Sequence, residues 1–355
     1  MSANQMMRAA VYRGVRDITI EDLPIPTPGP GEILIRIGAV GICGTDAHEY
    51  ESGPQMFPLT PFTPGHEFAG HIVELGPGVA GFAVGDLVAT GAGVSCGECF
   101  WCRSGKTNLC KSYQTLGLQL QGGLAQFALA PANTCLEVGS LGLTLDSAAL
   151  AQPMSIAVHS MKRGRPDLNQ PAMVIGAGGI GTFLIHALAQ HDVTTLVVEL
   201  DPMRREVAMS LGAAGAVMPD DTNDGLGDLG GDGVPSVIYE VTGTPAGLDH
   251  ALSHTAPGTR VVVIGLQDGE HPIRFRELAL REIELIGTNA HVFGADFAEA
   301  ARLLSARSGS WSDVAPVAFP LDDLVEHGLK PLIEGSASRI KTLIDPWASA
   351  VRDTT

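Results

Sequence analysis

Residues 172–191 read AMVIGAGGIGTFLIHALAQH, and this stretch decides the fold. AMVIG is a compact apolar strand, and TFLIHALAQH is helical. Between them Gly176-Ala177-Gly178-Gly179-Ile180-Gly181 spells G-x-G-x-x-G. A lone example of that motif is weak, but one that follows a strand and opens a helix has the context of a dinucleotide-binding turn. The first two glycines allow a tight turn and let a pyrophosphate approach the backbone; the third lets helix and strand pack closely. The helix N-terminus adds partial positive charge. Eighteen residues past Gly181, Glu199 closes a second apolar run, TTLVVEL at 194–200. A carboxylate there accepts hydrogen bonds from the adenosine ribose hydroxyls and repels a 2′-phosphate, which favours NAD. The competing reading, a glycine turn with a surface glutamate, does not account for the complete strand–helix–strand setting.

Working outward, Asp201 is the expected N-cap and Pro202 the first residue of a helix running to Leu211 and stopping at Gly212. Further strands are expected at 237–241 and 261–265. Strands alternating with helices imply a parallel sheet covered on both faces. DDTNDGLGDLGGDG at 220–233 reads as a solvated connection, and its carboxylate spacing does not fit a calcium loop. The first third is different. Short apolar runs at 33–40 and 68–75 are separated by turn signals such as PTPGPGE (26–32) and GPGV (76–79), which points to a barrel-like β domain.

A length of 355 residues exceeds the usual single core, so two domains are expected. Forty-five per cent apolar residues exclude wholesale disorder. A net charge of −17 argues against binding a phosphate backbone, so no nucleic-acid partner is expected. No apolar run approaches a bilayer span, and MSANQMMRAAVYRG lacks the pattern of a secretory signal. A cytoplasmic protein with no membrane partner is the expectation.

Four of the six cysteines, Cys96, Cys99, Cys102 and Cys110, fall in a C-x2-C-x2-C-x7-C pattern. Four thiolates supply the full tetrahedral set of a structural zinc site and leave no open position. Close thiolate spacings also hold iron–sulfur clusters. Zinc is favoured because the rest of the chain suggests hydride chemistry, which needs no electron relay. Cys135 reads as a core thiol, and His159, His186, His254 and His291 as structural histidines.

A second constellation is GICGTDAH (41–48) with GHE (65–67). Cys43, His66 and Glu67 offer three zinc ligands of mixed type and leave a fourth position open, as catalytic zinc requires. Alone, a cysteine and a histidine 23 residues apart read more simply as a buried thiol and a core imidazole than as metal ligands. Their neighbours shift the balance. Thr45 places a hydroxyl two residues from Cys43, and His48 an imidazole three further on. A hydroxyl followed by an imidazole can carry a proton from an alcohol at the metal to solvent.

Together these motifs resemble the zinc-containing medium-chain alcohol dehydrogenase family over essentially the whole chain. The resemblance implies a GroES-like β-rich catalytic domain at 1–154 and 290–355, interrupted by a Rossmann-type, doubly wound NAD-binding domain at 155–289. It implies that Cys43, His66 and Glu67 bind the catalytic zinc, that Thr45 and His48 form the proton relay, and that Cys96, Cys99, Cys102 and Cys110 hold the structural zinc. Glu199 matches the ribose-binding acid, and Arg204 a basic position also found in NAD-using relatives. EVTG (240–243), with Thr242, and VVVIGL (261–266), with Gly265 and Leu266, resemble segments flanking the nicotinamide. Gln152 matches a position beside the catalytic zinc where close branches carry glutamate before proline. HEYESGPQMFP (48–58) is similar to the butanediol dehydrogenase branch, with polyol and threonine dehydrogenases near it, and the stretch between Gln55 and Pro64 is shorter here. The implied reaction transfers hydride between a secondary alcohol or its ketone, vicinal diols and acyloins first, and NAD(H), in a homodimer or homotetramer. A zinc module without catalysis is disfavoured by the acidic charge and the complete Rossmann half. Zinc-free quinone or enoyl reductases of the same fold lack the Cys43 and His66–Glu67 set.

Overall fold

A computed structural model of the chain describes residues 5–53, 61–229, 233–267 and 269–355. The chain divides into two compact units, Met1–Ser155 with His291–Thr355, and Ile156–Ala290.

The first unit is built on the strand Glu32–Gly41. It pairs antiparallel with Glu67–Leu75 on one side, and with Leu343–Asp345 and Phe127–Pro131 along the other. Among the described residues the sheet has eight strands and also includes Leu87–Thr90, Cys135–Glu137, Val317–Pro320 and Arg352–Asp353. The period of two explains why nearly all of Glu32–Gly41 is buried. Ile33, Ile35 and Ile37 face a core with Phe68, Ile72 and Val88. Leu34, on the opposite face, packs with Met7, Ala9 and Phe127. Each such side chain, fully buried, contributes about 1.5–3 kcal/mol. The register Leu343↔Gly41 and Ile344↔Val40 ties a late stretch of sequence to the residues just before Cys43.

The second unit is a six-stranded parallel sheet. Its order is Gly215–Val217, Thr195–Val198, Ala172–Ile175, Val237–Glu240, Arg260–Val263, Glu284–Gly287. Numbered along the chain, that order is 3-2-1-4-5-6, the doubly wound Rossmann arrangement, with its switch point between Ala172–Ile175 and Val237–Glu240. AMVI and TLVV are buried throughout, as strands covered on both faces must be.

The helix after the second strand is Pro202–Ser210, and Asp201 caps it by accepting from the backbone N–H groups of Met203 at 2.8 Å and Arg204 at 3.2 Å. One expectation is overturned. The polar stretch at 220–233 is not merely a solvated connection: a turn at Pro219–Asp221 leads into a helix, Thr222–Asp228. Leu226 joins the core with Leu196 and Val198, and Gly225 lies against the Leu196 side chain. Leu226 and, at the C-cap, the partly buried Leu229 are the apolar anchors among aspartates and glycines, too few to set a helical period against that composition. Among the described residues no helix is long and apolar enough to cross a membrane.

Candidate metal centre and dinucleotide loop

Cys43 ends the strand region of Glu32–Gly41 and stands as N-cap of the helix Gly44–Ser52. His66 and Glu67 sit where the neighbouring antiparallel strand, Glu67–Leu75, begins. The register Gly41↔Glu67 brings the two strand ends together. Ligand atoms of Cys43, His66 and Glu67 consequently lie within 4.8 Å of one another. The backbone leading into His66 is braced from outside: Gly123 donates to the carbonyl of Gly65 at 2.8 Å, and Leu124 to that of Pro64 at 3.0 Å.

The donor set fits a metal ion. A thiolate, an imidazole and a carboxylate are the mixed ligands of an open zinc site. Asp46 is the orienting residue that the motif reading missed. Its Oδ2 accepts from the Cys43 backbone N–H at 2.9 Å, and its Oδ1 lies 3.4 Å from His66 Nδ1, a charge contact not aligned as a hydrogen bond. A carboxylate facing Nδ1 leaves Nε2 of the ring available to a metal. Burial opposes protonation of His66, but Asp46 and Cys43 outweigh it and hold its pKa well above the ordinary histidine value. A second unforeseen residue, Lys341, donates to Glu67 Oε2. Burial opposes its charge as well, and Glu67 and Cys43 again prevail, so its pKa is raised.

Thr45 and His48, three apart on the helix Gly44–Ser52, share one face. The Thr45 hydroxyl is 3.7 Å from Cys43 Sγ, and His48 Nε2 is buried with no hydrogen-bond partner among the described residues. Gln152 is buried on the helix Ala151–Gly164, and its Oε1 accepts from the Ala92 backbone N–H at 3.1 Å. Of HEYESGPQMFP, the residues from Pro54 onward, like most of the shortened stretch after Gln55, lie outside the described residues.

The four-cysteine lobe is assembled as its spacing predicts. Sulfur–sulfur distances are 3.5 Å for Cys99–Cys102 and Cys96–Cys110, and 3.9 Å for Cys96–Cys102. Zinc–sulfur bonds of about 2.3 Å in a tetrahedron place sulfurs about 3.8 Å apart, so the lobe already has the dimensions of the ion. Backbone N–H groups of Cys102 and Lys111 lower the Cys99 thiol to about 6, while burial and the neighbouring thiols push Cys102 up to about 11. Cys135 is buried in the β core, away from both sets.

In the second unit the glycine motif forms the turn between Ala172–Ile175 and the helix Gly181–Gln190. Gly176 has φ +96°, which excludes ordinary side chains, and a Cβ on Gly181 would stand 2.0 Å from the Gly176 carbonyl oxygen. At Gly178 a Cβ would meet only a terminal nitrogen of Arg204 at 3.9 Å, leaving the open approach that a pyrophosphate needs. Gly179 and Ile180 complete the turn into the helix. Glu199 is held from two sides: Oε2 accepts from Ala177 N–H at 2.7 Å and Oε1 from Asp201 N–H at 2.9 Å. Each oxygen keeps a lone pair for a further donor. Arg204 carries a buried Nε with no hydrogen-bond partner among the described residues. Thr242 donates its hydroxyl to Glu240, and Gly243 packs closely on Gly265 and Leu266. Leu266 itself is exposed.

Comparison with known proteins agrees with this architecture. The alcohol dehydrogenase GroES-like domain family matches residues 29–140, and the zinc-binding dehydrogenase family matches residues 179–306. The chain is 33% identical to the sorbitol dehydrogenase of Bacillus subtilis strain 168 over 80% of its own length and 82% of the relative's. It superposes on the crystal structure of 2R,3R-butanediol dehydrogenase from Bacillus subtilis with a TM-score of 0.85 at 29% identity, covering 96% of this chain and 99% of that one. A structure from Sinorhizobium meliloti 1021, described as that of a zinc-binding dehydrogenase and solved with NADP, gives a TM-score of 0.87 at 26% identity, covering 97% and 100%.

Proposed function

The chain belongs to the zinc-containing medium-chain alcohol dehydrogenases, enzymes that act on CH–OH groups, and on that premise we propose that it interconverts a secondary alcohol and its ketone with NAD(H). Vicinal diols and acyloins are the favoured substrates, in keeping with the sorbitol and butanediol dehydrogenases it resembles.

The observation that carries this reading is the gathering of Cys43, His66 and Glu67, with the Thr45 hydroxyl and His48 on the adjoining helix turn. A zinc ion bound by these three residues supplies Lewis acidity, which lowers the pKa of an alcohol at the open position. In this relay the Thr45 hydroxyl would take the alcohol's proton as it hands its own on, through the ribose of a bound cofactor, to His48, whose Nε2 has no hydrogen-bond partner among the described residues. A nicotinamide cofactor held at the Gly176–Gly181 turn would supply the hydride acceptor for the alcohol and, in its reduced form, the hydride donor for a ketone. The four-cysteine lobe has the donor set of a closed, structural ion. The fixed Glu199 carboxylate supports NAD over NADP, because a 2′-phosphate there would meet like charge. The residues 1–154 with 290–355 form the catalytic domain in this proposal, and 155–289 the cofactor domain. A homo-oligomer completes the reading.

The test is a screen of purified enzyme against vicinal diols, polyols and simple secondary alcohols with both cofactors, followed by NADH or NADPH absorbance. Activity confined to primary alcohols or aldehydes refutes the substrate assignment. Thr45→Ala and His48→Ala are expected to lower kcat by about 10²–10⁴-fold, the usual contribution of a positioned proton carrier.

A further inference from the structure

The carboxylate of Glu67 has an occupant already. Its Oε2 lies 2.5 Å from Lys341 Nζ, and the two side chains are 2% and 4% exposed. Lys341 also donates to the carbonyl of Ile42 at 3.1 Å, the residue before Cys43. One buried ammonium thus joins the peptide leading into one candidate ligand to the side chain of another. Taking a lysine out of water is costly, and an apolar residue of similar volume would often serve packing at least as well. Its charge has a specific complement. The Cys43 thiolate, Glu67 and Asp46 carry three negative charges, a divalent ion supplies two positive, and Lys341 supplies the third.

The arrangement also limits what Glu67 can offer. Carboxylates bind metals through one oxygen or through both. With Oε2 engaged by the ammonium, Oε1 is the oxygen left free. We infer that Lys341 is a positioning residue of the metal centre, which restricts Glu67 to a single oxygen and so preserves an open coordination position for the alcohol. This inference rests on the reading that Cys43, His66 and Glu67 hold the metal.

Cobalt(II) in place of zinc tests it, because the intensity of its visible d–d bands falls as coordination rises above four. Lys341→Met is expected to lose and shift that absorbance relative to the native protein, as the second carboxylate oxygen enters. Lys341→Arg, which keeps a donor and a positive charge, is expected to retain the native bands. In a Glu67→Gln background the methionine substitution should add nothing, since the group that Lys341 acts on has gone. Superimposable spectra of native and Lys341→Met proteins at equal cobalt content overturn the inference. So does a spectral change that persists in the Glu67→Gln background. If Lys341→Met does not fold, Lys341→Leu takes its place: cobalt bands altered from the native ones support the role, and native bands overturn it. Native protein that takes up cobalt only in the four-cysteine lobe overturns the metal-site reading and the inference with it, an outcome that metal analysis separates from the others.

Discussion

Asp46 touches two candidate ligands at once, with Oδ1 3.4 Å from the His66 ring and Oδ2 accepting the backbone N–H of Cys43 at 2.9 Å. One carboxylate therefore orients the imidazole and fixes the turn that presents the thiol. Asp46→Asn keeps an acceptor for Cys43 and removes the charge facing His66. The expected result is zinc affinity at this centre weaker by about 10–100-fold, with the cysteine lobe unaffected. Chelator competition measures both. Asp46→Ala is expected to cost a further ~1 kcal/mol of stability, because the helix start is then uncapped.

Two separate ligand sets imply two zinc ions per chain. Elemental analysis of protein never exposed to chelator is expected to give two, and Cys99→Ser to give one. The same variant should unfold at lower temperature, because metal-binding energy in such a lobe is folding energy. A native content near one that Cys99→Ser leaves unchanged contradicts the structural site.

Glu199 is anchored by two backbone amides, so its charge cannot swing away from an incoming phosphate. kcat/KM is expected to favour NAD, and Glu199→Gln to narrow the NAD-to-NADP ratio by about tenfold, equivalent to about 1.4 kcal/mol. Equal native values for the two cofactors would mean that Glu199 does not face the ribose.

Gln152 offers a milder substitution. Glutamate at this position can still accept the Ala92 N–H that Gln152 accepts at 3.1 Å, so Gln152→Glu is expected to fold normally. It adds a buried negative charge, which disfavours loss of a proton nearby. The pH profile of alcohol oxidation should move to higher pH. Superimposable kcat/KM profiles at equal zinc content would show that residue 152 does not sense the metal.

What the sequence disclosed and what it concealed divide along a physical line. The Gly176–Gly181 turn and the four-cysteine lobe were legible because their constraints act between near neighbours: a backbone angle, a close approach, a fixed ligand spacing. The Asp201 cap was legible for the same reason. Asp46 left a faint local signal, an acid three residues after Cys43, where a capping box places one. Lys341 left none. It lies 274 residues from Glu67, and the pairing of Leu343–Asp345 with the strand Glu32–Gly41, with the Ile42 N–H donating to the Thr342 carbonyl, brings it there. The helix Thr222–Asp228 was hidden by composition, since propensity speaks against glycine and aspartate while Leu226 decides by burial.

That late pairing also governs how each molecule comes into being. Chains grow at about 5–20 residues per second, so Val40 waits about 15–60 s before its partner Ile344 is made. The unit Ile156–Ala290 has all of its own strands well before then. Cys43, His66 and Glu67 are all synthesised within the first fifth of the chain, whereas Lys341 follows far behind. The three candidate ligands and the ammonium are thus made at separate times, and Glu67 precedes the partner of its Oε2 by the synthesis of most of the chain.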